Sequence, residues 1–154
     1  MTEQRKLVDL SEDEYKMIAE VEFLAFDQSG CRSIQKKLDE IHDKDILYSF
    51  THQLVQSMLE IFPDCMMNQF GNYLCQRIID VCSIEDIKKI VTAIAPSIVE
   101  ICMDSHGTRV IQTMVEILRK DYAQLNNELF MIINELEQSI FEIITHANGN
   151  HVVQ

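Results

Sequence analysis

Apolar residues recur along this chain at helical spacing. Ile87, Ile90, Val91 and Ile94 stand at i, i+3, i+4 and i+7, and Leu54, Met58 and Ile61 follow the same rule one stretch earlier. No stretch alternates apolar and polar as a half-buried strand would. Ser11-x-x-Glu14 has the form of a capping box opening a first helix, with Tyr15, Ile18 and Val21 on its buried side. Pro63 and Pro96 each stop such a helix, because proline lacks the N–H that the next turn needs. The pattern predicts an all-α chain of repeated helix, short helix, turn and helix. One such unit cannot cover its own apolar face, so neighbouring units must stack.

The glycines give the period. The chain has four, and each opens the same hexapeptide: Gly30-Cys31-Arg32-Ser33-Ile34-Gln35, Gly71-Asn72-Tyr73-Leu74-Cys75-Gln76, Gly107-Thr108-Arg109-Val110-Ile111-Gln112 and Gly149-Asn150-His151-Val152-Val153-Gln154. The glycines are 41, 36 and 42 residues apart, a solenoid period. Asp27, Asn68, Asp104 and Asn148 lie just upstream, residue types that make tight turns and cap the helix that follows. Glycine at the turn is expected to supply a backbone conformation that other residues resist.

Number the residue after each glycine as one. Positions 1, 2 and 5 then fall at about 0°, 100° and 40° around the helix and share a face. Positions 3 and 4 are mostly apolar and fall elsewhere: Ile34, Leu74, Cys75, Val110, Ile111, Val152 and Val153. One side packs, and the other presents a flat side chain beside two short polar or thiol groups. Arg32, Tyr73, Arg109 and His151 are suited to stack on nucleobases. Gln35, Gln76, Gln112 and Gln154 each carry a donor and an acceptor that can address a base edge. A single exposed Gln or Arg is ordinarily just solvated. Four triplets in register are what make the pattern informative.

Composition narrows the classes. The 154 residues are 47% apolar, enough for a continuous core, yet contain no apolar run of roughly eighteen that could span a membrane. Met1–Ser11 has no apolar core of a secretory signal, and the five cysteines form no C-x-x-C pair, so reduced thiols in the cytoplasm are expected. The formal net charge of −12 runs against phosphate-driven binding and favours a protein partner. Lys36, Lys37, Arg77 and Arg119 lie near the triplets and lean the other way. Cys102 and His106 stand four apart, but no second pair stands at ligand spacing, so no metal site is expected. No phosphate loop, nucleophile elbow or acid–base pair stands out; the chain reads as a non-enzyme without a cofactor.

From roughly Tyr15 to Gln154 these units resemble Pumilio (PUF) repeats, the family in which one base is read per helical repeat. The likeness rests on the Asp/Asn-x-x-Gly turn followed by Cys-Arg-x-x-Gln or Asn-Tyr-x-x-Gln. The order of triplets is similar to the first four repeats of such proteins, including Asn-His-x-x-Gln in the fourth. The resemblance implies an α-solenoid of three-helix repeats, a curved arc whose concave side binds single-stranded RNA antiparallel to the protein. Residues 1–14 would be an acidic N-terminal segment and 15–154 the array, with the fourth repeat cut inside its reading helix and an apolar end uncovered. The family normally has eight repeats.

Carried over by position, the resemblance implies that Cys31/Arg32/Gln35 reads adenine, Asn72/Tyr73/Gln76 uracil, Thr108/Arg109/Gln112 adenine and Asn150/His151/Gln154 uracil. Thr108 departs from the usual Cys or Ser. The implied site is 5′-UAUA-3′, within 3′ untranslated regions of messenger RNA, with repression or decay proteins as partners on the convex face. One Gln amide can meet N6–H and N1 of adenine, or N3–H and O4 of uracil while Asn donates to O2. The alternative is a helical scaffold of the same type that binds protein and not RNA; an RNA binder should keep acid off the triplet face.

Overall fold

The structure is a computed structural model that describes residues 5–154; Met1–Gln4, part of the expected acidic segment, lie outside the described residues. Twelve α-helices follow one another, and no strand occurs among the described residues. They group as four repeats of three: α1 (Glu12–Ala19), α2 (Val21–Leu24) and α3 (Gln28–Glu40); α4 (Lys44–Met58), α5 (Phe62–Met66) and α6 (Gly71–Val81); α7 (Ile84–Ile94), α8 (Ile98–Met103) and α9 (Gly107–Lys120); α10 (Tyr122–Glu137), α11 (Ile140–Thr145) and α12 (Asn150–Val153). The all-α solenoid predicted from the periodicity is what forms.

The third helices α3, α6, α9 and α12 pack side by side in one row, and the first helices α1, α4, α7 and α10 form a second. The short helix of each of the first three repeats touches its own third helix and the first helix of the next repeat, as α2 does with α3 and α4. This interlock is why a repeat cannot stand alone. One apolar cluster runs unbroken from Leu10 to Ile132, with Ile34, Leu54, Leu74, Ile90 and Ile111 fully buried within it. On the outer row, Nδ1 of His52 on α4 lies 2.9 Å from Oδ1 of the buried Asp86 on α7. The fourth repeat is less covered: Phe130 on α10 is 51% exposed and Phe141 on α11 is 84% exposed.

The helix ends follow the sequence with some corrections. Ser11 accepts from the Glu14 N–H, and the Glu14 carboxylate accepts from the Ser11 N–H, which is the expected capping box. Tyr15 is exposed, not buried; its hydroxyl accepts from Leu10 N–H, and Glu14 takes the inward position instead. Pro63 and Pro96 sit in the first turns of α5 and of a short 3-10 helix (Ala95–Ser97). Each therefore starts a new turn as well as stopping the helix before it, since the first turn needs no proline N–H.

The glycines correct the sequence reading more deeply. None has a positive φ. Their use is close approach: a Cβ on Gly107 would stand 2.4 Å from the Ile101 carbonyl oxygen, and one on Gly30 would stand 2.6 Å from that of Leu24. Each reading helix thus presses its first turn against the backbone of its own short helix, and only hydrogen fits between. Gly107→Ala should lower stability by ~2 kcal/mol through this overpacking. Denaturant unfolding followed by far-ultraviolet dichroism checks it; an unchanged midpoint would mean that α8 and α9 separate at little cost.

Candidate nucleic-acid interface

Capping places the triplets. Asp27 Oδ2 accepts from Gly30 N–H at 2.8 Å, and Asn68 Oδ1 and Asp104 Oδ1 accept from Gly71 and Gly107 N–H in the same way. In the fourth repeat Asn148 does not cap. The acceptor is His146 Nδ1, which stands in the register of the other three, while the Asn148 amide donates to Met103 O of the third repeat. Each triplet falls in the first turns of its helix, so all four face the same way along one row.

The residues at position 2 are exposed: Arg32, Tyr73, Arg109 and His151. The four glutamines lie alongside, three of them half-buried and Gln154 exposed. Position 1 is different. Cys31, Asn72 and Thr108 are 2%, 1% and 4% exposed, and Asn150 is half-buried, so these side chains form the floor of the row and do not flank its surface. Helical side chains lean back toward the N-terminus, which turns position 1 onto the preceding turn.

That floor is fully bonded. The Cys31 thiol donates to Ala25 O at 3.0 Å. Burial first, then Cys65 and Asp27 beside it, push this thiol up to about 12, so at neutral pH it remains an uncharged donor. Thr108 Oγ1 donates to Asn148 O at 3.0 Å, spending its proton on a main-chain carbonyl as Cys31 does. Asn72 Nδ2 donates to Asn68 O at 2.8 Å and Gln69 O at 3.0 Å, and Asn150 Nδ2 repeats this on His146 and Ala147. Both amide protons of each Asn are committed. The expected donation from Asn to uracil O2 is therefore not available in this conformation; a carboxamide oxygen is what each Asn turns toward its glutamine.

The glutamines are held by those floors. Gln76 Nε2 donates to Asn72 Oδ1 at 3.3 Å, and Gln154 Nε2 to Asn150 Oδ1 at 3.2 Å. Gln35 Nε2 donates to Cys31 O, and Gln112 Nε2 to His151 O of the next repeat. Each amide keeps one N–H and the Oε1 acceptor free of these bonds. Between the first two repeats a cleft of about 320 Å³ opens, with Cys31 and Gln35 of the triplet on one side and Arg32 and Tyr73 as its flat walls. Gln28, Gln69 and Phe70 also line it and were missed in the sequence. Gln28 and Gln69 each stand two residues before their glycine, a register that could have identified them.

Three of the four nearby cations are paired, while Arg119 is exposed and joins no ion pair among the described residues. Arg77 bridges to Asp39 at 2.7 Å across repeats, Lys37 to Asp13 at 3.2 Å and Lys36 to Glu40 at 3.7 Å. Asp39, one turn beyond Gln35, means acid is not kept off this face, contrary to expectation, although Arg77 covers it. The row has neutral hydrogen-bonding floors and flat walls, and its positive charge comes chiefly from the stackers Arg32 and Arg109.

A model of the Pumilio-family RNA binding repeat matches residues 21–47, 62–95, 97–124 and 139–154. The chain is similar to Pumilio homolog 12 of Arabidopsis thaliana, 33% identical over 96% of this chain and 24% of that protein. Putative pumilio homolog 7, chloroplastic, of the same plant is 33% identical over 87% of this chain and 20% of its own length. Among solved structures, the Puf4 RNA binding domain bound to an HO endonuclease RNA 3′ UTR recognition sequence aligns with a TM-score of 0.73 at 28% identity, covering 84% of this chain and 37% of that one. The RNA-binding domain of yeast Puf5p bound to AAT2 RNA gives 0.73 at 28%, covering 94% and 37%. The chain thus spans about a quarter or less of the length of these curated relatives.

Proposed function

This chain belongs to the Pumilio family of RNA-binding repeat proteins, and we propose that it binds single-stranded RNA with one base per repeat, at 5′-UAUA-3′. The observation that carries the reading is the cleft between Arg32 and Tyr73. A planar base enters edge-first, its faces covered by two flat side chains from successive repeats and its edge met by Gln35. The same parts recur at Tyr73, Arg109 and His151, so bases would follow one another along the row.

The bonded floors refine how an edge is read. A glutamine whose Nε2 is anchored through one proton presents the other N–H and Oε1 to the cleft. Adenine offers N6–H and N1, uracil N3–H and O4; each pair is one donor beside one acceptor. Asn72 acts by position: its Oδ1 holds the Gln76 amide in one orientation. Cys31 and Thr108 donate elsewhere, so their floors ask no hydrogen bond of the base, which suits the C2–H side of adenine. Control of messenger RNA through 3′ untranslated regions in the cytoplasm, with repression or decay proteins on the outer row, belongs to the same proposal. The Puf4 and yeast Puf5p structures, each an RNA-binding domain with RNA bound, support the RNA-binding part of this reading.

A selection against random single-stranded RNA tests the reading, and enrichment of UAUA is the expected outcome. Affinity should fall only gently with salt. Each phosphate contact on a single strand contributes a log–log slope of about −0.7, and a chain with these paired cations should show roughly two to four such contacts. A much steeper slope, or enrichment of no sequence, would favour the scaffold reading.

A further inference from the structure

Charge in this molecule is sorted by layer. The short helices and their flanking turns, residues 20–29, 59–70, 95–106 and 138–149, contain no Lys or Arg in any repeat. All 13 cations of the chain lie elsewhere. The same four segments hold eight carboxylates. Asp27 and Asp104 cap reading helices; Glu20, Glu22, Glu60, Asp64, Glu100 and Glu142 are exposed and join no ion pair among the described residues. Asp64, Glu100 and Glu142 each stand seven residues before their glycine, so the solenoid sets one on each successive short helix.

Beside two of them runs a groove of about 570 Å³ with a mixed apolar and polar lining, contributed by the second to fourth repeats. Met67, Pro96, Val99 and Met103 give it an apolar part, and Ser97, Asp104, Glu100 and Glu142 an acidic and polar one. Methionine-rich surfaces adapt to different apolar side chains. The groove is set on the short helices, a different row from the triplets, and the reading of RNA makes no use of it. Its acid disfavours nucleic acid.

We infer that this edge of the solenoid docks a basic, extended segment of a partner protein, with cations every third residue and apolar side chains between them. The spacing follows from two lengths. Packed helices repeat every ~8–10 Å, and a chain in the extended polyproline II form turns once in three residues while advancing ~3.1 Å per residue, so side chains three apart face the same way. Three residues therefore carry the partner from one carboxylate to the next, while an intervening leucine or methionine side chain meets the apolar part of the groove.

A fluorescent peptide of repeating Lys-Ser-Leu, compared with one of equal composition whose lysines form a single block, tests this by fluorescence anisotropy on the whole chain. The repeating peptide should bind several-fold tighter. Glu100→Gln with Glu142→Gln, isosteric changes at exposed positions, should abolish that preference. It should also weaken binding by about 2- to 25-fold, from two exposed ion pairs each contributing about 1.4- to 5-fold. Glu116→Gln with Glu137→Gln makes the same change of net charge elsewhere and should have under about 2-fold effect by the same relation. Equal binding of the two peptides, or equal loss in both variant pairs, would show general attraction to an acidic chain and overturn the inference. So would displacement of the peptide by a UAUA oligonucleotide, which would put it on the reading row.

Discussion

Tyr73→Ala should weaken binding of every RNA sequence, by roughly 30-fold or more, because two stacking contacts of ~1–3 kcal/mol each are lost together. Tyr73 is 55% exposed and forms one wall of the cleft between the first two repeats. In the proposed reading its ring would cover the base at Gln35 on one side and the base at Gln76 on the other. Stacking is indifferent to base identity, since every base has a π-face, so preference at each position should persist while affinity falls. The fold should suffer little: more than half of the residue is exposed, and alanine favours helix. Tyr73→Phe should keep most of the affinity, because the ring and not the hydroxyl carries the contact. Titration of 5′-UAUA-3′ and of single-base variants checks both statements. A change of preference without loss of affinity would exchange the roles assigned to positions 2 and 5.

Much of this was legible in the sequence because periodicity and register survive without coordinates. Ile87, Ile90, Val91 and Ile94 all turn inward on α7, as their spacing requires. Four glycines in one register identified the repeat, and the exposed Arg32, Tyr73, Arg109 and His151 followed from the helical wheel. What escaped depended on contact between elements. The role of Gly107 is set by the Ile101 carbonyl, which lies in a different helix. Burial of Cys31 and Asn72 comes from the backbone of the preceding turn, and a wheel drawn for one isolated helix counts that direction as open. Commitment of both Asn72 amide protons is by contrast local, to carbonyls four and three residues back, but Asn68 and Gln69 converge on it only once the turn has folded. His146 was passed over as a cap because imidazole is not among the usual capping side chains; its position three before Gly149 was the available signal. The ion pairs of Lys37 and Arg77 join separate helices, so proximity in sequence to the triplets misrepresented their availability.

Rewriting one triplet should have an effect of similar size on specificity. Cys31→Ser with Gln35→Glu in the first repeat is expected to switch the preferred 3′ base from adenine to guanine. Guanine presents two donors, N1–H and N2–H, side by side. A carboxylate accepts both, whereas an amide accepts one and turns its own N–H toward the other. The free protein adds to the contrast. Gln35 Nε2 now donates to Cys31 O at 3.1 Å, and a carboxylate there would face that carbonyl with no proton between them. The Glu side chain is therefore driven into the cleft, where guanine satisfies it. Adenine would set its N1 lone pair against the same oxygen, and an unsatisfied acceptor costs ~1–3 kcal/mol, or roughly 5- to 150-fold in affinity. Serine at position 31 keeps a proton donor for Ala25 O, so the floor is preserved. Arg32 and Tyr73 are untouched, so the walls still stack and the experiment isolates the edge. The comparison is 5′-UAUA-3′ with 5′-UAUG-3′ in matched flanks and salt. If the double variant still prefers adenine, these side chains do not read the base, and the array is better regarded as a protein scaffold.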